Sequence, residues 1–127
     1  EGNGGLIFPE YQYCRDGGMA CVKLLEIIAA GTTLSEFAKS VPVYFNSKTK
    51  TVCKNLTATM ERVTADVLKS VAKVDTMDGV KIWYDDGWVL IRPSGTEPII
   101  RIFAESKTKA KAEELMLEGL ELVERYQ

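Results

Sequence analysis

Histidine is absent from this chain, and two kinds of site go with it. No imidazole can complete a zinc centre, and no serine or cysteine has a histidine base to activate it, so nucleophilic catalysis at Cys14 or Ser94 is not expected. Cysteine is scarce: Cys14, Cys21 and Cys53 are an odd number without metal-ligand spacing. They read as reduced, partly buried small hydrophobes of a cytosolic protein rather than a disulfide framework. Long hydrophobic runs are missing too, and no signal-peptide pattern opens the chain, so the reading is cytoplasmic with no membrane partner. A net charge of −2 over 127 residues leaves no sequence-wide basic field to gather nucleic acid or anionic lipid. Any attraction for an anion has to be local. No internal repeat or low-complexity segment is present.

What is there suits a modest globular piece. With 46% hydrophobic residues the chain can fill the core of one small domain with an appendage. It begins in a glycine-rich stretch without methionine, and reads as a cut fragment of something larger.

The most informative stretch is Arg92-Pro93-Ser94-Gly95-Thr96-Glu97-Pro98. It lies between two apolar runs, Trp88 to Ile91 and Ile99 to Phe103, whose β-branched and aromatic residues predict two strands of one sheet. An arginine fork, two hydroxyls and a glycine that lets backbone N–H groups approach are the parts of a phosphate cradle. Two prolines stiffen the loop and lower the entropy lost on binding. A plain reading stands beside this one: a tight loop whose Ser and Thr satisfy their own backbone, with Glu97 paired to an arginine.

Along the chain, Leu6-Ile7-Phe8 predicts a short strand. Asp16 as N-cap and Gly31 past the C-terminus bracket a helix that is apolar nearly all round, the kind that is covered on several sides. Thr33-Leu34-Ser35-Glu36 fits a capping box opening a short helix to about Lys39. Val43 to Cys53 reads as one bent strand or as a hairpin across Asn46-Ser47, with one strand carrying a bulge preferred. Asn55 caps a helix with Met60, Val63, Val67, Val71 and Val74 on one face. Asp86-Gly87 predicts a type I′ hairpin between Val80 to Tyr84 and Trp88 to Ile91, and after the strand 99–105, Ser106 caps a last helix. Lys107, Lys109 and Lys111 stand at its positive end. The order β-α-β-β-β-α predicts an α+β layer, a mostly antiparallel four-stranded sheet with two helices on one face, over residues 41–127. Residues 1–40 read as the remnant of an α/β domain.

The string Arg-Pro-Ser-Gly-Thr-Glu-Pro followed by Ile-Ile-Arg resembles the phosphate-binding loop in the last domain of the α-D-phosphohexomutases, the phosphoglucomutase, phosphomannomutase and phosphoglucosamine mutase family. Glu1-Gly2-Asn3-Gly4-Gly5, with Leu6 to Glu10 and Arg15-Asp16-Gly17, resembles the sugar-recognition loop of the family's third domain and its sequel. The commoner pattern carries a histidine where Gly5 stands. The resemblance implies that 1–40 ends the third domain and that 41–127 is the C-terminal domain. It implies that Arg92, Ser94, Gly95, Thr96 and Arg101 hold the non-reacting phosphate of a phosphosugar, and that Glu1 and Asn3 bind its hydroxyls. Glu97 then steers one of the arginines. The parent reaction interconverts hexose 1-phosphate and hexose 6-phosphate, with magnesium and a hexose 1,6-bisphosphate activator, on a phosphoserine and an aspartate-rich loop. Neither of those occurs here, so no catalytic residue and no metal ligand is expected in this chain, and its partners would be the N-terminal domains of the same protein. Asp85-Asp86 reads as the hairpin turn. The alternatives are a nucleic-acid-binding module, opposed by the acidic balance and by a lack of aromatics interleaved with basic residues on a strand face, and a structural or assembly domain without catalysis.

Overall fold

A computed structural model describes residues 4–71 and 73–127. The chain divides into two units, one ending at Pro42 and the other running from Val43 to Gln127.

In the first unit β1 (Ile7–Phe8) pairs antiparallel with β2 (Gln12–Arg15), and two helices follow, α1 (Gly17–Ala29) and α2 (Leu34–Ser40). The local signals act as their chemistry requires. Asp16 Oδ1 accepts from Met19 N at 2.9 Å, and Gly31 takes the left-handed φ of 95° that stops α1. Thr33 and Glu36 close a reciprocal capping box, Thr33 N donating to Glu36 Oε2 at 2.9 Å. No residue of α1 is buried, and Val22, Leu24, Leu25 and Ile28 are exposed. Cys14 and Cys21 are exposed rather than partly buried, since their strand and helix have no covering layer; only Cys53 behaves as a core hydrophobe. No single helix among the described residues is long and apolar enough to cross a membrane.

In the second unit, β3 (Phe45–Val52), α3 (Leu56–Ser70), β4 (Val74–Asp75), β5 (Val80–Tyr84), β6 (Gly87–Pro93), β7 (Ile99–Ser106) and α4 (Lys109–Glu124) build an α+β layer. The sheet has five strands in the order β3-β7-β6-β5-β4, every neighbouring pair antiparallel. The fifth is β4: α3 stops at Ser70, and Val74 pairs with Ile82 instead of extending the helical face. β3 runs against β7 from Phe45 to Val52 without a bulge.

Alternation along β6 and β7 sends Val89, Ile91, Ile100, Ile102 and Ala104 into the core, where Met60, Val63 and Val67 of α3 and Leu115 and Val123 of α4 meet them. Gly119 lets α4 come close, because a β-carbon there would stand 2.8 Å from Val89 Cγ2 and 2.9 Å from Ile102 Cγ2.

Two turns differ from the local reading. Tyr84 pairs with Gly87, so the hairpin residues are Asp85 and Asp86; no described non-glycine residue has positive φ, which excludes a type I′ turn. Gly87 is needed instead as a ladder position pressed against the Glu105 carbonyl oxygen and Leu115. Thr108 rather than Ser106 caps α4, accepting from Lys111 N at 3.3 Å, while Ser106 is buried and donates to the Asp86 carbonyl at 2.7 Å. The lysines at this positive helix end are partly offset by Glu113 and Glu114 one turn on.

Candidate functional site

Helices cover one face of the five-stranded sheet, and the loop 94–98 leaves the end of the β6–β7 pair. Arg92 and Arg101 are direct cross-strand partners, so the two guanidinium side chains leave the same, uncovered face side by side. Lys50 of β3 pairs with Arg101 in turn. One transverse row therefore carries Lys50, Arg101 and Arg92 at the foot of the loop.

The loop is anchored at both ends. Ser94 N donates to Ile99 O at 2.9 Å, Ile99 N to Glu97 O at 2.8 Å, and Cys53 N to Pro98 O at 2.9 Å. Thr96 N donates to Ser94 Oγ at 3.4 Å, a long bond that leaves the Ser94 hydroxyl proton available. Gly95 does not have positive φ, and a β-carbon on it would meet nothing within 4 Å. It keeps clearance beside the loop. Gly95 and Thr96 are exposed and Ser94 is half-buried.

Each arginine is held by a carboxylate. Arg92 Nη1 lies 3.0 Å from Asp78 Oδ2, and Arg101 Nη2 lies 2.9 Å from Glu97 Oε2. Glu97 thus steers Arg101. Both carboxylates are half or more exposed, so each pair is worth at most about 1 kcal/mol, little against an incoming phosphate. Arg92 also lies over Phe103, its Cζ 5.8 Å from the ring centroid. A groove of about 390 Å³ opens beside Arg101, lined by Lys48, Thr49, Lys50 and Phe103.

Aromatic and basic residues do interleave on this face, contrary to the expectation from sequence. Trp83 and Lys81 share it on β5, Trp88 and Arg92 on β6, Phe103 and Arg101 on β7. The indoles are taken up internally: Lys81 Nζ is 4.0 Å from both ring centroids, and Lys73 Nζ is 5.6 Å from Trp83. Rings already capped by ammonium groups offer a base little to stack on.

The sequence singles out Arg92, Ser94, Gly95, Thr96 and Arg101, and strand pairing sets the two arginines opposite each other at the foot of the loop that carries the other three. Asp78, the ion-pair partner of Arg92, and Lys50, the ladder partner of Arg101, also stand beside them, and no local sequence signal connects either to the loop. Glu1 and Asn3 lie outside the described residues. Among the described residues no three His, Cys, Asp or Glu side chains could hold a metal ion together. The magnesium that the resemblance implies for a parent reaction therefore has no fitting donor set among them.

The sequence matches two family models, "Phosphoglucomutase/phosphomannomutase, C-terminal domain" over residues 46–121 and "Phosphoglucomutase/phosphomannomutase, alpha/beta/alpha domain III" over residues 1–44. The chain belongs to the phosphoglucomutase/phosphomannomutase family. A phosphoglucomutase/phosphomannomutase of Thermococcus kodakarensis is 47% identical over 98% of this chain and 28% of its own length. A probable phosphoglucosamine mutase of Methanothermobacter thermautotrophicus is 42% identical over 88% of this chain and 26% of its own length. A phosphoglucosamine/phosphogalactosamine mutase of Sulfurisphaera tokodaii is 40% identical, over 98% and 28%. The chain thus spans little more than a quarter of these family members. The crystal structure of a family protein from Burkholderia thailandensis superposes with a TM-score of 0.68 at 23% identity, over 94% of this chain and 27% of that one, and shares the fold.

Proposed function

We propose that this chain is the phosphate-holding end of a hexose-phosphate mutase. In it Arg92, Ser94, Gly95, Thr96 and Arg101 bind the phosphate that is not reacting, and Glu1 and Asn3, from the sugar loop that opens the third-domain segment 1–40, bind sugar hydroxyls. The observation that carries this reading is the register of β6 on β7, which sets two guanidinium groups side by side at the foot of a loop bearing two hydroxyls and a clear flank. Arginine forks match phosphate oxygens in pairs, and Ser94 and Thr96 add neutral donors.

The parent enzyme, a cytoplasmic isomerase, moves phosphate between C1 and C6 of a hexose by way of a bisphosphate. Magnesium and the phosphoserine supply that chemistry from other domains of the same protein, and hexose 1,6-bisphosphate is the activator. This chain's residues bind and orient: gripping the distant phosphate fixes the sugar at the reacting centre and lets remote binding energy lower the barrier. In this reading none of its residues is assigned a catalytic step.

Arg92→Ala decides between a site and a brace. Charge-assisted hydrogen bonds contribute about 1.5–3 kcal/mol, so glucose 1-phosphate should bind about tenfold more weakly or worse. Stability should change by no more than about 1 kcal/mol, because the Asp78 partner is largely exposed. Unchanged affinity with a clear drop in melting temperature would make Arg92 a brace for the hairpin and end the phosphate reading.

A further inference from the structure

We propose that Lys50 is a further phosphate-binding residue, and that the groove it shares with Lys48, Arg101 and Phe103 is an anion subsite continuous with the loop. The inference rests on the phosphate reading of that loop and extends it sideways across the sheet.

Three observations carry it. The first is register: Lys50 opposes Arg101, which opposes Arg92, so three cations stand in one row on the uncovered face. Like charges directly opposite each other on a sheet repel, and a row of three is relieved only as far as anions join it. The second is the charge balance within the row. Asp78 and Glu97 each neutralise one arginine, whereas no carboxylate among the described residues pairs with Lys48 or Lys50. Excess positive charge is left on the β3 side of the groove.

The third lies in the groove itself. Its volume of about 390 Å³ is within the range of small-molecule sites, and Phe103 offers an apolar surface beside the cations. The Nε of Arg101, a residue that lines the groove, is buried with no hydrogen-bond partner among the described residues. A buried donor left so is costly, and a small turn of the half-exposed Arg101 side chain toward a phosphate oxygen or a sugar hydroxyl in the groove would satisfy it. The ligand class is a phosphomonoester of a small polyol: a compact dianion for the row, with hydroxyls for the groove. A flexible lysine stem lets Lys50 reach an oxygen that the two planar guanidinium groups leave free.

The competing account is structural. β3 is an edge strand, and lysines on an edge strand discourage edge-to-edge pairing with another chain. The two accounts separate in solution. The 127-residue chain is titrated with glucose 1-phosphate and, separately, with inorganic phosphate, reading backbone amide shifts by NMR, for wild type, Lys50→Ala, Lys50→Arg and Arg92→Ala.

Lys50→Ala should weaken glucose 1-phosphate binding about fivefold, while Lys50→Arg, which keeps the charge, stays within about twofold of wild type, both at unchanged melting temperature. Arg92→Ala weakened with Lys50→Ala at wild-type affinity overturns the subsite alone; Lys50 is then an edge guard, and Lys50→Ala should show increased self-association. Wild-type affinity in Arg92→Ala, or no phosphate binding by the wild-type chain, overturns the loop reading and this inference with it. A Lys50→Ala effect confined to a short oligothymidylate, with glucose 1-phosphate unaffected, also overturns it in favour of nucleic acid.

Discussion

A β-carbon on Gly79 would run into the Ile91 carbonyl oxygen and stand 2.8 Å from the Arg92 Cα, at a φ of +88° that L side chains avoid. Both obstacles are backbone, so neither can rotate away. Gly79 follows Asp78, the residue that holds Arg92, and it permits the turn 76–79 to press against β6 beside the site. Gly79→Ala should therefore cost about 2 kcal/mol or more, from the left-handed φ and the overpacking together. Chemical denaturation measures it. A loss under about 0.5 kcal/mol, the range of an ordinary surface change, would mean that the turn relaxes freely and does not hold Asp78 in place.

Where elements meet, Tyr84 ties the end of β5 to α4. Its hydroxyl donates to Glu118 Oε2 at 3.2 Å, and its pKa is raised above the ordinary 10 first by burial, then by the Glu118 charge and the hydrogen bond to it, with Lys111 pulling the other way. A folded-state pKa above the unfolded one means that the folded chain holds its proton more tightly. That contribution is whole below pH 10 and is lost as pH rises through the raised value. Tyr84→Phe removes the titrating group, so the difference in melting temperature between wild type and variant should shrink as pH climbs from 9 past 10, for which the ordinary tyrosine value of about 10 sets the window. A difference that stays constant across that range would show the contact to be packing alone.

Over the whole molecule, burial is concentrated in the unit from Val43 to Gln127. Five of the eight residues of β7 are buried, while no residue of α1 is. Amides open at a rate set by how much must come apart, so α1 and α2 should exchange with deuterium much faster than β6, β7 and the facing turns of α3 and α4. Protection of α1 equal to that of β7 in a monomeric sample would contradict this. The chain matches only 28% of the length of the Thermococcus protein.

What the sequence determined by itself is whatever neighbours decide within about one helical turn. Asp16, Thr33 and Asn55 cap helices because a side-chain oxygen reaches a backbone N–H three residues on. Alternation along β6 and β7 sorts core from open face, and Arg92 to Pro98 carries its donor groups in a single string. Glu97 could be assigned to one of the two arginines because its charge would oppose a phosphate, and it pairs with Arg101. Tertiary structure decided the rest. Whether Ser106 or Thr108 starts α4 depends on Asp86 across the hairpin, which claims the Ser106 hydroxyl. Val74 leaves the helical pattern because Ile82 offers it a ladder. Asp78 comes to Arg92, and Lys50 to Arg101, only through strand pairing. That register is fixed by summed burial and hydrogen bonding across residues far apart in the chain, and a shift of one residue would turn every one of these side chains to the other face.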